Sequence, residues 1–255
     1  MEVLNDILGY KNRKIYQDTE CFSFSLDSIM LANFATIRLR DKKIADLGCG
    51  NGVIPLVLSL RTTKEIVGVE IQEKLAEMAK KSVIYNDLEQ QIKIVTSNIK
   101  NLGNEYFEKF DLITCNPPYF KVNEKNFFNE SYEKMVARHE IEMNLTDLLI
   151  IVKKMLKNNG NFAIVHRPER LMDILFEFRK NNIEPKRIQF VYEKVSKDAT
   201  VVLIEGQKCG SPGVKVEKPI IMYDDAGNMT KEYAQLQIEV RRWIKRVMMV
   251  MLVYI

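Results

Sequence analysis

The stretch KKIADLGCGNG, residues 42–52, decides the fold, since a short β-rich run ends there in a turn that contains three glycines. Glycine has no side chain to collide with a bound ligand, and it adopts backbone conformations that other residues avoid. Gly48, Gly50 and Gly52 therefore predict a tight turn whose backbone approaches a ligand closely. Such a turn after a strand is typical of nucleotide-binding α/β folds.

Six further β-rich runs follow this strand, at residues 65–70, 92–98, 110–116, 161–167, 187–193 and 200–206. Segments with helical spacing of apolar residues separate most of them, which predicts an α/β, Rossmann-like fold with helices on both faces of the sheet. Only residues 194–199 separate the last two runs. Because this is too short for a helical crossover, those two strands should pair antiparallel. The prediction is a seven-stranded, mostly parallel sheet with one antiparallel strand.

The bulk composition sets broad limits on function. The chain has 255 residues, of which 46% are hydrophobic, so a sizeable core is expected. The 38 basic and 34 acidic side chains leave a formal charge of +4, which alone does not indicate a nucleic-acid partner. Residues 1–14 lack the features of an export signal, which predicts a cytoplasmic protein. Without C-x-x-C spacing, neither a metal site nor a disulfide framework is expected at Cys21, Cys49, Cys115 and Cys209.

A single domain is predicted for residues 1–237, since no break in composition interrupts them, and residues 1–41 should form a short substrate-facing segment. Residues 238–255 form an atypical tail, in which basic residues precede the apolar run VMMVMLVYI. This run is much shorter than the roughly 20 residues that span a bilayer, so no membrane partner is predicted. A docking helix, an interfacial anchor and an irregular terminus remain alternatives. The expected state is a monomer or a weak homodimer.

Carboxylates at the ends of the first two strands indicate which ligand the turn binds. Glu70 can accept hydrogen bonds from both ribose hydroxyls of an adenosine-containing molecule. Asp46 would repel a pyrophosphate but can hold an ammonium group, directly or through water. S-adenosylmethionine (SAM) has an ammonium group and no pyrophosphate, so the pair favours a SAM-dependent methyltransferase fold over a dinucleotide-binding one. A glycine turn that serves packing alone is the alternative.

Two further side chains are candidates for SAM binding. Asn98 ends the third strand, where its carbonyl oxygen can accept a hydrogen bond from the adenine amine. Asp27 can reach the methionine end of the cofactor or cap the N-terminus of a helix, and the two roles are compatible.

The sequence NPPY, residues 116–119, follows the fourth strand and should lie at the same edge of the sheet as the glycine turn. The exocyclic amine of adenine is a poor nucleophile, because its lone pair is delocalised into the ring. The Asn116 side-chain oxygen and the Pro117 carbonyl can each accept one N–H, which localises the lone pair. Pro118 stiffens the turn, and Tyr119 can stack on a flipped base. A proline-stiffened turn with an incidental tyrosine is the alternative.

With these motifs, the chain resembles the bacterial tRNA(Val) (adenine-N6)-methyltransferases, which modify an adenine in the anticodon loop. The resemblance covers most of the chain and rests on FSLDSIMLANF, DLGCGNG, NPPYF, ARHE, VHRPERL and KPIIMYDDAGNMTKEY. It implies a Rossmann-like methyltransferase fold, SAM as the cofactor, tRNA as the partner and residues 116–119 as the active-site motif.

A basic and aromatic cluster near the start of the chain is the first candidate for RNA contacts. Lys11, Arg13 and Lys14 are suited to phosphate contacts, and the neighbouring Tyr10 and Tyr16 are suited to base stacking. A solvated face is the alternative.

The long stretch after the NPPY motif is the second candidate. Residues 120–138 are predicted to form a lid over the target base, with Phe120 and Arg138 as substrate contacts. His139 is expected to orient the substrate rather than to act as a general base. Lys208 is a weaker candidate for a phosphate contact.

Three rival functions remain open. A protein-glutamine methyltransferase could use the same acceptor pair on a planar amide, but that class usually has a separate helical domain before the glycine turn. A guanine-amine RNA methyltransferase is the second rival. A non-catalytic SAM-binding RNA module is the third, although it would have no use for an intact NPPY motif.

Overall fold

The seven predicted strands are all present. The structure of the chain, a computed structural model, describes residues 2–7, 10–18, 26–117, 144–231 and 233–234. The strands are β1 (Glu2–Ile7), β2 (Tyr10–Asp18), β3 (Lys43–Leu47), β4 (Glu65–Glu70), β5 (Ile92–Thr96), β6 (Phe110–Cys115), β7 (Leu156–His166), β8 (Ile183–Tyr192), β9 (Ala199–Lys208), β10 (Lys215–Val216) and β11 (Ile220–Ile221). The helices are α1 (Leu26–Phe34), α2 (Val53–Ser59), α3 (Glu73–Tyr85), α4 (Leu145–Met155) and α5 (Leu171–Lys180).

Nine of these strands form one sheet, in the order β10-β8-β9-β7-β6-β3-β4-β5, with β11 also paired to β8. Strand β9 is antiparallel to both of its neighbours, β7 and β8. The other pairings within this sheet are parallel. The predicted α/β fold with one antiparallel strand is therefore confirmed. The short strands β10 and β11, which the sequence does not predict, extend the sheet along the outer edge of β8.

Consecutive residues of the central strands point to opposite faces, as the two-residue period of a strand requires. On β3, Ile44 belongs to a core with α1, α2 and the hairpin β1–β2, whereas Ala45 belongs to a core with α4 and α5. Both residues have no exposed surface. Two apolar layers therefore hold the sheet between helices, and burial of each large aliphatic side chain contributes about 1.5–3 kcal/mol.

The N-terminal hairpin β1–β2 packs on α3, whereas the sequence predicts only a substrate-facing segment there. Beside the C-terminal end of α3, the Lys14 carbonyl accepts a hydrogen bond from Asn86 Nδ2 at 2.7 Å. At the start of α3, Lys74 forms an ion pair with Asp18. Ile15 is fully buried between these points. Strand β2 therefore runs the length of α3, toward the edge of the sheet where the parallel strands end.

Candidate cofactor and active site

Asp46 and Asn116 come together at the carboxyl edge of the sheet. Strands β3 and β6 pair so that Asp46 is opposite Thr114 and Leu47 is opposite Cys115. Asn116 follows Cys115 directly and therefore lies beside Gly48, where the glycine turn begins. The register thus brings Asn116 to the glycine turn, as the sequence predicts.

The glycine turn adopts left-handed backbone conformations, with φ of 70° at Gly48, 56° at Gly50 and 92° at Gly52. An added Cβ at Gly52 would lie 3.2 Å from Ala79 Cβ, so the first residue before α2 must be small to pack on α3. Among the residues that the structure describes, an added Cβ at Gly50 would meet nothing within 4 Å. None of these residues therefore fills the space beside Gly50 where a ligand would bind.

Glu70 ends β4 and holds the glycine turn in place. One carboxylate oxygen accepts the backbone N–H of Gly50 at 2.8 Å, and the other accepts that of Gln72 at 2.9 Å. Glu70 as a whole is 5% exposed. Each carboxylate oxygen has a second lone pair, so Glu70 can bind a pair of ligand hydroxyls while it still supports the turn.

Asp46 is the most strongly perturbed acid of the site. Its Oδ1 accepts the Thr114 hydroxyl at 2.7 Å, whereas the buried Oδ2 has no hydrogen-bond partner in the part of the chain that the structure describes. Burial raises the pKa of Asp46 to about 8, the negative charge of Glu70 adds to this, and the Thr114 hydrogen bond opposes it. A cationic ligand group would supply the missing partner and favour the ionised carboxylate. The orphaned oxygen therefore fits the ammonium group predicted for this position.

Asn116 is oriented by a residue that the sequence analysis does not identify. Its Nδ2 donates to Ser28 Oγ at 2.8 Å, and Ser28 is on the first turn of α1. The side-chain oxygen of Asn116, on the other branch of the amide, therefore points away from Ser28. Pro117, which is buried, continues the chain at the same edge of the sheet.

The two remaining cofactor candidates lie at the ends of their elements. Asp27 is in the first turn of α1, which begins at Leu26, so it is inside the helix rather than at the predicted cap position. It lies close to Tyr233, whose pKa is raised by burial first and then by the charges of Tyr223 and Asp27. Asn98 follows β5, and its side-chain oxygen accepts the Lys100 N–H at 2.9 Å. A second lone pair on that oxygen leaves the predicted adenine contact possible.

The predicted roles of the N-terminal cluster are only partly compatible with the structure. Tyr10 is 4% exposed and its hydroxyl accepts Asn33 Nδ2 at 2.7 Å, so the predicted base stacking by Tyr10 is wrong. Arg13 Nε donates to Ser59 Oγ at 3.4 Å, and Lys14 pairs with Asp6 at 2.8 Å.

Arg13 and Lys14 also lie far from the site, because they are beside the last residues of α2 and α3. The helix α3 has 13 residues, so the distance along it to the carboxyl edge is about 20 Å. The phosphate contacts of Arg13 and Lys14 stay a prediction. At this distance they would be made to parts of the RNA away from the target base.

Lys208 is the clearest correction among the site residues. Its ammonium group donates to the carbonyls of Lys153 and Leu156, each at 2.8 Å, and the residue is 8% exposed. These carbonyls are at the end of α4 and the start of β7. The predicted phosphate contact is wrong, because the cation is buried and neutralises the carbonyl dipoles at a helix C-terminus.

Several predictions fall on residues whose placement the structure leaves out. They concern Pro118, Tyr119, Phe120, Arg138 and His139, the side chain of Lys11, and the tail at residues 238–255. The lid predicted for residues 120–138 also lies outside the described residues.

Cys49 and Cys115 are buried beside the site and form no disulfide among the described residues. Burial raises the pKa of both thiols, and the negative charges of Asp46 and Glu70 raise it further. They are therefore packing residues rather than nucleophiles. Within the described ranges, no group of three or more potential metal ligands is found. None of the helices there is both long and apolar enough to cross a membrane.

The fold and the site together define a methyltransferase class, since the buried acid beside the glycine turn has an oxygen suited to an ammonium group, which SAM supplies and the pyrophosphate of a dinucleotide does not. Residues 24–179, more than half of the chain, match the methyltransferase small domain family. The chain belongs to this family.

Two curated relatives show how far the sequence similarity extends. The chain is 27% identical over 186 residues to the tRNA1(Val) (adenine(37)-N6)-methyltransferase of Parabacteroides distasonis. These residues cover 72% of this chain and 76% of the relative. It is 24% identical over 235 residues to the protein of the same name from Flavobacterium psychrophilum, covering 90% and 97% of the two chains.

Solved structures agree with the fold. A predicted O-methyltransferase from Agrobacterium tumefaciens superposes with a TM-score of 0.63 at 18% identity, over 83% of this chain and 95% of that one. A geranyl diphosphate C-methyltransferase from Streptomyces coelicolor, solved with S-adenosyl-L-homocysteine, gives 0.53 at 12% identity over 71% and 78%. At these identities the likeness concerns the fold alone, and it confirms the predicted methyltransferase architecture.

Proposed function

We propose that the protein uses SAM to methylate N6 of an adenine in RNA, with the anticodon loop of a tRNA as the substrate. The observation that carries this proposal is the register of β3 and β6, by which Asn116 and Pro117 lie beside the glycine turn. The names of the curated relatives supply the substrate class. We also propose a cytoplasmic location, where a tRNA substrate is found. The enzyme is proposed to act as a monomer or a weak homodimer.

The residues present fit SAM. Glu70 would hold the ribose hydroxyls, and Asn98 the adenine amine. Asp46 would hold the methionine ammonium group, since its unpaired Oδ2 needs a donor, and Asp27 would contact the same end of the cofactor. The open space beside Gly50 allows the turn to contact the ligand through its backbone. When bound, SAM supplies an electrophilic methyl group on a sulfonium.

Asn116 and Pro117 are the catalytic groups in this proposal. The amide oxygen of Asn116 and the carbonyl oxygen of Pro117 would each accept one N–H of the adenine amine. Such a pair favours a tetrahedral nitrogen whose lone pair is no longer delocalised into the ring. As the nitrogen becomes positive, both acceptor dipoles interact more strongly with it, so they stabilise the transition state more than the ground state. In the same proposal Pro118 stiffens the turn and Tyr119 stacks on the flipped base.

The proposal is tested with the purified protein, unmodified tRNA(Val) made by transcription and SAM with a labelled methyl group. Nuclease digestion and mass spectrometry of the nucleosides should find the label in N6-methyladenosine. Label in N2-methylguanosine would favour the guanine-amine rival, and label in a glutamine of a co-purified protein would favour the glutamine rival. Either result, without labelled N6-methyladenosine, would overturn the proposed substrate.

The variant Asn116→Ala tests the role of the amide. Loss of a transition-state acceptor of this kind lowers turnover about 100- to 1000-fold. The dissociation constant for SAM, measured by calorimetry, should stay within about twofold, because the ribose and ammonium contacts remain. Unchanged turnover would remove Asn116 from the mechanism.

A further inference from the structure

The hydrogen bond between Asn116 and Ser28 joins two elements that are far apart in the sequence. The two residues are 88 positions apart, and their polar atoms lie 2.8 Å from each other. Ser28 is 6% exposed, so water competes little for its hydroxyl. The contact is therefore a buried, specific one at the edge of the site.

The two branches of an asparagine amide have opposite hydrogen-bonding characters. The nitrogen only donates and the oxygen only accepts. To orient an amine, Asn116 must present its oxygen, whereas the amide rotated by 180° would present a donor to another donor. Because Nδ2 of Asn116 donates to Ser28 Oγ, the oxygen is the branch turned away from Ser28. A serine hydroxyl can also donate, so it is the observed pairing that decides: with Nδ2 on Ser28, the amide has the orientation that the reaction needs.

Helix α1, which carries Ser28, is anchored at its other end. The Arg61 guanidinium donates to the carbonyls of Ala32 and Ala35. Just beyond the helix, the backbone N–H and the hydroxyl of Thr36 each donate to the Glu205 carboxylate at 2.7 Å. These contacts attach the C-terminal end of α1 to α2 and to β9.

Strand β6 is held equally firmly, because it pairs with β3 on one side and β7 on the other. The Ser28 hydroxyl and the Asn116 amide are therefore presented to each other by two separately anchored elements. Such support is what holds an active-site group within a few tenths of an ångström of its working position.

We propose that Ser28 is a positioning residue for methyl transfer: its hydroxyl holds the Asn116 amide so that the side-chain oxygen faces the amine of the substrate. This inference rests on the proposed function, since it assigns Asn116 as the acceptor. Ser28 itself touches neither the substrate nor the cofactor in this assignment. It acts through Asn116 alone.

Ser28→Ala removes the hydroxyl and keeps a good helix former. Loss of one neutral hydrogen bond should lower kcat about 3- to 10-fold. The KM for SAM should stay within twofold, because the cofactor contacts are intact. Ser28→Thr keeps the hydroxyl and should restore most of the lost kcat. Ser59→Ala is the matched control, since Ser59 is also a buried helical serine but hydrogen-bonds within α2 and to Arg13. The kcat of this variant should equal that of the wild type.

A double-mutant cycle separates positioning from a general structural role. In the Asn116→Ala background, Ser28→Ala should cause no further loss of kcat, because the amide that it orients is gone. An equal loss in both backgrounds would show that Ser28 only supports the fold. If Asn116→Ala lowers kcat and Ser28→Ala does not, this inference is overturned and the proposed function stays intact. Unchanged turnover in Asn116→Ala would overturn both.

A second readout does not depend on activity. The side-chain amide resonances of Asn116 in a ¹⁵N-labelled sample can be assigned by their loss in Asn116→Ala. Ser28→Ala should move these resonances, and Ser59→Ala should not. Unmoved Asn116 resonances in Ser28→Ala would show that the hydroxyl does not hold the amide, and the inference would fall.

Discussion

Asp46→Asn should make the stability of the ligand-free protein less sensitive to pH, while it weakens SAM binding. Burial raises the pKa of Asp46 from its ordinary value of 3.8 to about 8 in the folded protein. Between these two values the unfolded chain has lost the proton and the folded protein has kept it. Folding then takes up a proton, so the free energy of unfolding falls as pH rises through this window and levels off above about pH 8.

The magnitude follows from the size of the shift. Each pH unit inside the window lowers the free energy of unfolding by about 1.4 kcal/mol. At pH 7, the accumulated destabilisation from Asp46 is therefore about 4 kcal/mol. Asparagine does not titrate, so the variant escapes this loss. Its amide has donors with no partner at the position of Oδ2, which costs about 1–3 kcal/mol at every pH.

The measurement is urea unfolding of both proteins without SAM, followed by circular dichroism at pH 5, 6 and 7. The constant cost of the unpaired amide shifts one curve against the other, but it does not change the pH dependence. The difference in free energy of unfolding, variant minus wild type, should therefore rise by about 3 kcal/mol between pH 5 and pH 7. If the two proteins keep a constant difference across this range, the carboxyl is not held protonated by burial and the reasoning is wrong.

The same group should couple SAM binding to proton release. A bound ammonium group favours the ionised form of Asp46, so below about pH 8 the affinity for SAM should rise with pH, by up to about tenfold per unit. Calorimetric titrations at pH 7 in two buffers with different ionisation heats report the protons released. Asp46→Asn should release fewer protons than the wild type, since only the amine of SAM itself still titrates. Equal proton release would contradict a contact between Asp46 and the ammonium group.

Three further substitutions test other parts of the structure. Glu70→Ala removes the acceptor for the ribose hydroxyls and should raise the KM for SAM about 10- to 100-fold in steady-state assays, and an unchanged KM would exclude the contact. Glu205→Ala leaves the backbone N–H and the hydroxyl of Thr36 without their acceptor. It should lower the free energy of unfolding by about 2–3 kcal/mol in urea, whereas the exposed control Glu89→Ala should change it by less than about 0.5 kcal/mol. Lys208→Met should lower stability by about 1–2 kcal/mol and leave tRNA affinity unchanged in filter binding, while a loss of affinity at unchanged stability would restore the phosphate role.

The sequence predicts the central sheet well because each of its strands carries its own signal. The run at residues 65–70 is apolar and β-rich between polar ends, and it coincides with β4. Parallel strands in such a fold end at one edge, so the polar residues after them can be predicted to meet there. That rule places Asp46, Glu70 and Asn116 at one edge, where the register of β3, β4 and β6 puts them.

The hairpin β1–β2 has no comparable local signal. The segments EVLNDI and YKNRKIYQD are mostly polar and show no sustained alternation. They are strands because of contacts with a distant helix: the Tyr16 N–H donates to Ser82 Oγ at 2.9 Å, and Ile7 and Ile15 are buried. Interactions between residues more than sixty positions apart have no periodic pattern in the sequence. The Ser28–Asn116 contact escapes prediction for the same reason.

The error at Lys208 has a different origin, because the sequence contains the information needed to avoid it. The predicted antiparallel pairing of the last two strands already implies that one of them ends at the opposite edge from the parallel strands. In the structure Gln207, which precedes Lys208, is opposite Asn161 of β7. Cys115, which precedes Asn116, is opposite Ile164 of the same strand. Lys208 and Asn116 are thus about five residues apart along the strand direction, or roughly 16 Å. A lysine after a reversed strand should therefore be weighed first as a partner for the carbonyls at that edge, and only then as a ligand for RNA.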